Sequence, residues 1–269
     1  LSEYVAEAGH WYGKDGKPAY TQITASGKNK GNERPTTIRD ARKLSLLPSV
    51  TTICSILDKP ALTHWKIKHA LKSKMWEVYQ WVVSSRCPQL APAFKMMFKI
   101  EQPSDADAAK RGSEIHAALE RYLQGGGFDT EFQPYIRILQ FVLDDLEINL
   151  TDEMHPERSF ASELGYGGAV DLPVYVGDGI IIDFKTKDMD ADKAAKGLVY
   201  DEHITQLAAY RMGLGLPKAR LINLFLSRDN PNVYALHEWS EEDAQWGEKM
   251  FLSTFNTWKL MKRYEPNGA

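Results

Sequence analysis

The stretch Gly167–Lys187 reads GGAVDLPVYVGDGIIIDFKTK. Two apolar, β-branched runs flank a Gly-Asp-Gly turn, the pattern of paired antiparallel strands. Each run carries an aspartate, Asp171 in the first and Asp183 in the second, and Lys185 follows the second by two positions. Side chains two apart on a strand share a face, so Asp183 and Lys185 point one way while Ile182 and Phe184 point the other. With Gly177-Asp178-Gly179 as the turn, Val176 pairs with Ile180. That register sets Asp171 opposite Lys185 and makes Asp183 its diagonal neighbour, about 7–8 Å away at the backbone. A bulge would move the register by one residue.

Two carboxylates among apolar strands repel each other and lose solvation, and one Lys leaves a negative charge uncancelled. A divalent cation compensates both, and oxygen ligands favour a hard ion such as Mg²⁺ or Mn²⁺. Either Asp taken singly reads more readily as a solvent-facing residue. It is the set of three at this spacing that points to a metal site.

Working outward, the spacing predicts strands over 168–176 and 179–186, a charged connection DMDADKAAKG, and a helix over 202–214. Two more strands, ARLINLFLS and VYALHEW, precede a final helix over 241–262. Upstream lie a strand over 156–163 and a helix over 134–146. Before these, SDADAAKRGSEIHAALERYL reads as a helix capped by Ser104 or Asp105 and ended by the glycines at 125–127. Helix, three strands, helix, strand is an α/β order.

Nearer the N-terminus, 10–24 reads as a hairpin turning at Lys-Asp-Gly-Lys, and 25–35 as a polar loop. LPSVTTICSIL reads as a short helix with Ser49, Thr51 and Thr52 as capping candidates. A helical segment over 61–83 is interrupted by RCPQLAP at 86–92 and resumes in AFKMMFKI. The expected division is an N-terminal hairpin with a basic helical lobe over 1–103 and a core over 104–269.

The chain has 269 residues, 43% hydrophobic and 26% charged, values of a soluble globular protein. Its apolar runs are too short to cross a bilayer, and its start lacks a secretory pattern, so a cytoplasmic location is expected, the host cytoplasm if the chain is viral. Cys54 and Cys87 are too few for a disulfide framework or a four-cysteine cluster, and read as reduced thiols. The net charge is −3, yet residues 26–99 hold fourteen Lys or Arg against four Asp or Glu. A basic surface on an otherwise acidic chain suggests a polyanionic partner, although a solvated face has the same composition.

The pieces GSEIHAALERYL, LGYGGAVDL, IIDFKTK and QLAAY, in this order over 112–210, resemble the PD-(D/E)XK nuclease superfamily. Within it the chain is similar to the RecB-like exonuclease branch, especially phage-encoded exonucleases and the mitochondrial genome maintenance exonuclease, whose members also resemble it at LPSVTTI. The resemblance implies a restriction-endonuclease-like α/β core, a central mixed sheet flanked by helices, with a helical N-terminal lobe. It implies one or two Mg²⁺ or Mn²⁺ ions held by His116, Asp171, Asp183 and the carbonyl of Phe184. It implies catalysis by Asp171, Asp183, Lys185 and Gln206, with Tyr210 and Lys187 beside the DNA backbone. Ser49, Thr51 and Thr52 are further candidates for phosphate contacts. Gln206 and Tyr210, four apart, share one helix face, where a buried Tyr with an amide partner is the plainer reading. Glu120, one turn after His116, reads as a solvated helix residue or a water-mediated contact to the site.

The first acidic position reads Val-Asp where the superfamily name has Pro-Asp, and the cysteines of the iron–sulfur relatives are missing, so no such cluster is expected. A Walker-type loop is missing too, so no nucleotide cofactor or attached motor is expected. The function expected is a free-standing, metal-dependent DNA exonuclease acting on single strands or DNA ends in replication, recombination or repair. Lys185 would orient or deprotonate a water, or stabilise phosphorane charge. Trp65, Trp76, Tyr79, Trp81, Phe94 and Phe98 would stack on bases, or form the lobe's own core. DNA is the expected partner, with a single-strand-binding or recombination protein beside it and no membrane. Alternatives are a structure-specific or restriction-type endonuclease on the same core, a non-catalytic recombination module, and a small-molecule hydrolase.

Overall fold

The protein is seen in a computed structural model, which describes residues 9–57, 60–84, 88–98, 105–149, 153–195 and 198–266. In chain order the elements are β1 (Trp11–Tyr12), β2 (Thr21–Ile23), β3 (Glu33–Pro35), α1 (Ile38–Leu44), β4 (Leu47–Pro48) and α2 (Val50–Cys54). Helices α3 (Pro60–Ser84), α4 (Ala91–Phe98), α5 (Asp105–Leu123) and α6 (Gln133–Asp145) follow. Then come β5 (Arg158–Ala161), β6 (Gly167–Val170), β7 (Leu172–Val174), β8 (Ile180–Lys187), α7 (Ala191–Ala195), α8 (Asp201–Gly213), β9 (Arg220–Ser227), β10 (Tyr234–Glu238) and α9 (Glu241–Lys262). No helix among the described residues is long and apolar enough to cross a membrane.

Two compact units are present, Asp58–Glu114 and the rest of the chain. Residues 9–57 pack with the core because their apolar side chains are buried there: Trp11, Val50 and Ile53 share a cluster with Phe160, Tyr210 and Trp258. The reversal at Lys14–Lys17 forms as expected, with the Gly13 N–H donating to the Lys17 carbonyl at 2.8 Å. Its outer arm, however, pairs elsewhere: β2 pairs with β3, inside the stretch expected to be a loop, and β1 pairs with β4.

Within the smaller unit, α3 and α4 bring Trp76 to 5.3 Å from Tyr79 and Phe94 to 4.7 Å from Phe98, ring centre to ring centre. Trp81 is 70% exposed and Phe98 50% exposed, more than a lobe core requires. The side chain of Trp65 and all of Cys87 and Ser104 lie outside the described residues. Cys54 is a buried thiol.

The α/β class holds. A four-stranded mixed sheet has the order β10-β9-β8-β7, with β8 and β9 parallel and the other pairings antiparallel. Parallel neighbours need a crossover, and α8 supplies it. One face of the sheet packs on α5 and α6 through Ile180, Ile182, Phe184, Ile222, Leu224 and Leu226. The other carries Ile181 and Leu221 against α2, α8 and α9. Alternation therefore places Asp183, Lys185 and Asn223 on the α8 side. Arg211, 2% exposed in its side chain, ties α8 to α9 through Glu241 at 2.7 Å and Glu248 at 2.9 Å.

The β7–β8 register differs from expectation by two residues. Leu172 pairs with Ile182 and Val174 with Ile180. The turn is longer than Gly-Asp-Gly: the Gly179 N–H bonds to the Val176 carbonyl at 2.9 Å, and Gly177 and Gly179 take φ of 58° and 92°. Continued one step, this register faces Asp171 toward Asp183 instead of Lys185. The expected first strand is also broken. Residues 167–170 pair with β5 and 172–174 with β8, and Asp171 sits at the change of partner.

Candidate active site

Four elements converge around Asp183. Strand β8 presents Asp183 and Lys185, α8 faces them with Gln206 and Tyr210, β9 sets Asn223 directly beside Asp183, and the β6–β7 break delivers Asp171. Lys185 Nζ lies 3.0 Å from Asp183 Oδ1 and 2.8 Å from Oδ2. It also donates to Gln206 Oε1 at 3.1 Å, and Gln206 Nε2 donates in turn to the Tyr210 hydroxyl at 2.6 Å. Asp171 Oδ2 accepts the backbone N–H of Phe184 at 2.6 Å. His116, on α5, brings Nδ1 to 3.9 Å from the same oxygen, and its ring meets Phe184 edge-on at 6.1 Å.

Two glycines make room for this packing. A Cβ on Gly167 would stand 2.8 Å from the Tyr12 ring, and one on Gly168 would stand 2.8 Å from Phe160 and 3.0 Å from Tyr210. The paired glycines of LGYGGAVDL thus let aromatic rings close over the strand that carries Asp171.

Burial raises the Asp171 carboxyl well above the usual carboxylate range, and the charge of Asp183 adds to this more than Lys185 offsets. Burial also lowers His116, against the opposing pull of Asp183, and so favours neutral imidazole with a free lone pair. Burial works against the ammonium of Lys185, but Asp183 and Asp171 outweigh it and hold the amine above its ordinary value. Glu157 is raised by burial, then by Glu120 and Asp183.

The donor set fits a hard divalent cation chemically: two carboxylates and a neutral imidazole, with Asp171 under-compensated for negative charge. Its geometry is not that of a closed cage. Among the described residues no three His, Cys, Asp or Glu side chains are grouped closely enough to hold one ion. Lys185 supplies the positive charge on Asp183 in this arrangement.

The remaining candidates make contacts of their own. Ser49 is buried and caps α2, accepting the Thr52 N–H at 2.9 Å and donating to Thr52 Oγ1 at 2.8 Å. Thr52 Oγ1 also accepts the His10 N–H at 3.1 Å, while Thr51 is exposed. A single bridge between Ser49 and Gly167 brings this segment beside the β6 end of the site. Lys187 turns inward: its amine donates to the Leu198 carbonyl at 2.9 Å, 4.5 Å from the Tyr200 ring centre and 4.9 Å from that of Phe225. Burial pushes it down to about 8, Lys185 adding to the effect and Glu202 opposing it. Glu120 accepts from Gln124 at 3.0 Å on its own helix.

Two residues escaped the sequence reading. Asn223 Nδ2 donates to Asp183 Oδ2 at 2.8 Å, and Trp239 Nε1 donates to Asn223 Oδ1 at 2.9 Å. Asn223 is the one amide in the apolar run LINLFL, which was a readable signal once β9 is aligned beside β8.

No protein-family model matches the chain, and no curated protein matches it. Among solved structures it is similar to the alkaline exonuclease LHK-Exo from Laribacter hongkongensis, at 15% identity over 56% of this chain and 83% of that one, with a TM-score of 0.30. It is also similar to SSO0001, at 19% identity over 44% of this chain, with a TM-score of 0.25. The matched region spans 58% of the length of SSO0001.

Proposed function

We propose that the chain is a divalent-cation-dependent deoxyribonuclease that degrades DNA from an end, acting on single strands or DNA ends in replication, recombination or repair. The observation that carries this reading is Lys185, held between Asp183 and Gln206 while the carboxyl of Asp171 closes on the same region from the strand break. Asp171, Asp183, His116 and the Phe184 carbonyl are the groups that would hold Mg²⁺ or Mn²⁺. Bound there, the cation supplies polarisation of a phosphate and acidification of a water.

The chain's own groups have separable tasks. Lys185, kept protonated, offers positive charge and hydrogen bonds to phosphoryl oxygens, where charge builds in the transition state. This favours the charge-stabilising role over proton abstraction. Gln206, anchored by Tyr210, directs the ammonium. Tyr210, buried and hydrogen-bonded, acts through Gln206 and not by touching DNA. The exposed Trp81 and Phe98 of the lysine-bearing unit offer stacking faces for single-stranded bases.

End-labelled linear single- and double-stranded DNA, incubated with Mg²⁺, Mn²⁺ or EDTA, tests the reading. Stepwise loss of label that needs a cation and spares a closed single-stranded circle is the expected result. Cleavage of the circle at the rate of linear DNA would replace the exonuclease with an endonuclease. No cation-dependent cleavage of any DNA would end the reading.

A further inference from the structure

We infer that Trp239 and Asn223 form a positioning pair that sets the rotation of the Asp183 carboxylate and so controls how firmly the site takes a divalent cation; this rests on the nuclease reading above.

Asn223 is wholly buried, and its side chain lies directly across the parallel β8–β9 ladder from Asp183. An Asn amide presents a donor end and an acceptor end, and it can be turned either way. Indole nitrogen only donates. With Trp239 Nε1 at 2.9 Å, the Asn223 oxygen must face the indole, so its NH₂ must face Asp183. The opposite turn would set N–H against N–H at the tryptophan and oxygen against oxygen at the aspartate. A partly exposed tryptophan thus dictates the orientation of a buried amide, and the amide dictates that of the carboxylate.

The consequence falls unequally on the two oxygens. Asp183 Oδ2 accepts the Asn223 amide and lies 2.8 Å from the Lys185 ammonium, whereas Oδ1 accepts from Lys185 at 3.0 Å. The pair fixes Oδ2 from the β9 side, so that oxygen is held for structure while Oδ1 keeps lone-pair capacity for a ligand. Partners of this kind are coupled to metal affinity because they fix the direction of the ligand's lone pairs.

The test uses the whole chain. Trp239→Phe keeps an aromatic ring but removes the N–H, and Asn223→Ala removes the amide. Mn²⁺ binding is measured by calorimetry on wild type and both variants. In parallel, kcat and KM for a labelled single strand are measured across a Mn²⁺ titration, with melting temperature as a control. The expected result is about ten-fold weaker Mn²⁺ binding for Asn223→Ala, and a smaller loss for Trp239→Phe. Both variants should need more Mn²⁺ for half-maximal rate while KM for DNA holds. Variants that bind Mn²⁺ as tightly as wild type, even if they melt earlier, would overturn the inference and leave the nuclease reading standing. Wild type that binds no divalent cation would overturn both. Trp239→Phe keeps an aromatic side chain in place, so the result does not hang on a folding defect in Asn223→Ala.

Discussion

The backbone N–H of Phe184 donates to the carboxylate of Asp171 at 2.6 Å, across the point where the strand bearing Asp171 exchanges one partner for another. A main-chain donor cannot rotate away, so Asp171 is held near Asp183 despite their repulsion. The strand break is what permits it. Val170 belongs to one core cluster and Leu172 to the other, although residues two apart on an unbroken strand would share a face.

Asp171 should therefore weaken the fold at neutral pH. A carboxyl raised in the native state contributes stability at low pH, and that contribution is lost as pH climbs from its unfolded toward its folded value, because the native state must release a proton it holds tightly. Asp171→Asn should melt higher than wild type at pH 7, by a few °C, with the gap closing below pH ~4. Cleavage should vanish, and Mn²⁺ should raise the melting temperature of wild type but not of the variant. Equal melting of the two proteins at pH 7 would contradict the assignment.

Removing the ammonium of Lys185 should spare DNA binding and damage catalysis. Lys185→Ala should cut labelled single strands at least ~100-fold more slowly, the scale of losing a positioned proton-bearing group. A wild-type rate in single-turnover assays would remove Lys185 from the reacting centre.

Lys187 should make stability rise with pH. Its folded value of about 8 lies below the ordinary 10.5, so between these values the unfolded chain binds a proton that the native protein does not. Urea midpoints of wild type should climb from pH 8 to pH 10 relative to those of Lys187→Met. Parallel curves would show that the amine is not held in its aromatic surroundings as described.

Gly168→Ala should act at a distance on Lys185. The added methyl would press on Phe160 at 2.8 Å and Tyr210 at 3.0 Å. A cost of about 1–3 kcal/mol is expected for overpacking at such a site, read from denaturant unfolding. Displacing Tyr210 also loosens Gln206, so kcat should fall more than KM rises.

Much of the arrangement was legible in the residues. The alternation IIIDFKTK places Asp183 and Lys185 on one face, and the i, i+4 spacing of Gln206 and Tyr210 brings both to that face from α8. The register was not legible, because a Gly-rich stretch fits turns of several lengths and the error of two left every side chain on its proper face. The partnership of Asn223 with Asp183 depends on a parallel pairing forty residues apart, which local pattern does not reveal. The packing of residues 9–57 was hidden for the same reason: β1 and β4 are too short to announce themselves, and burial against α8 and α9 explains them.

The long β7–β8 turn also restricts how this gene can drift. If the turn kept its form, losing one residue there would slide the register and exchange the two sides of β8, sending Asp183 into the greasy layer beneath α5 and α6 and Ile182 toward α8. Losing two would only slide one acid past the other. Length changes that move the register should therefore come in even steps, while odd ones must be taken up by the turn's own form.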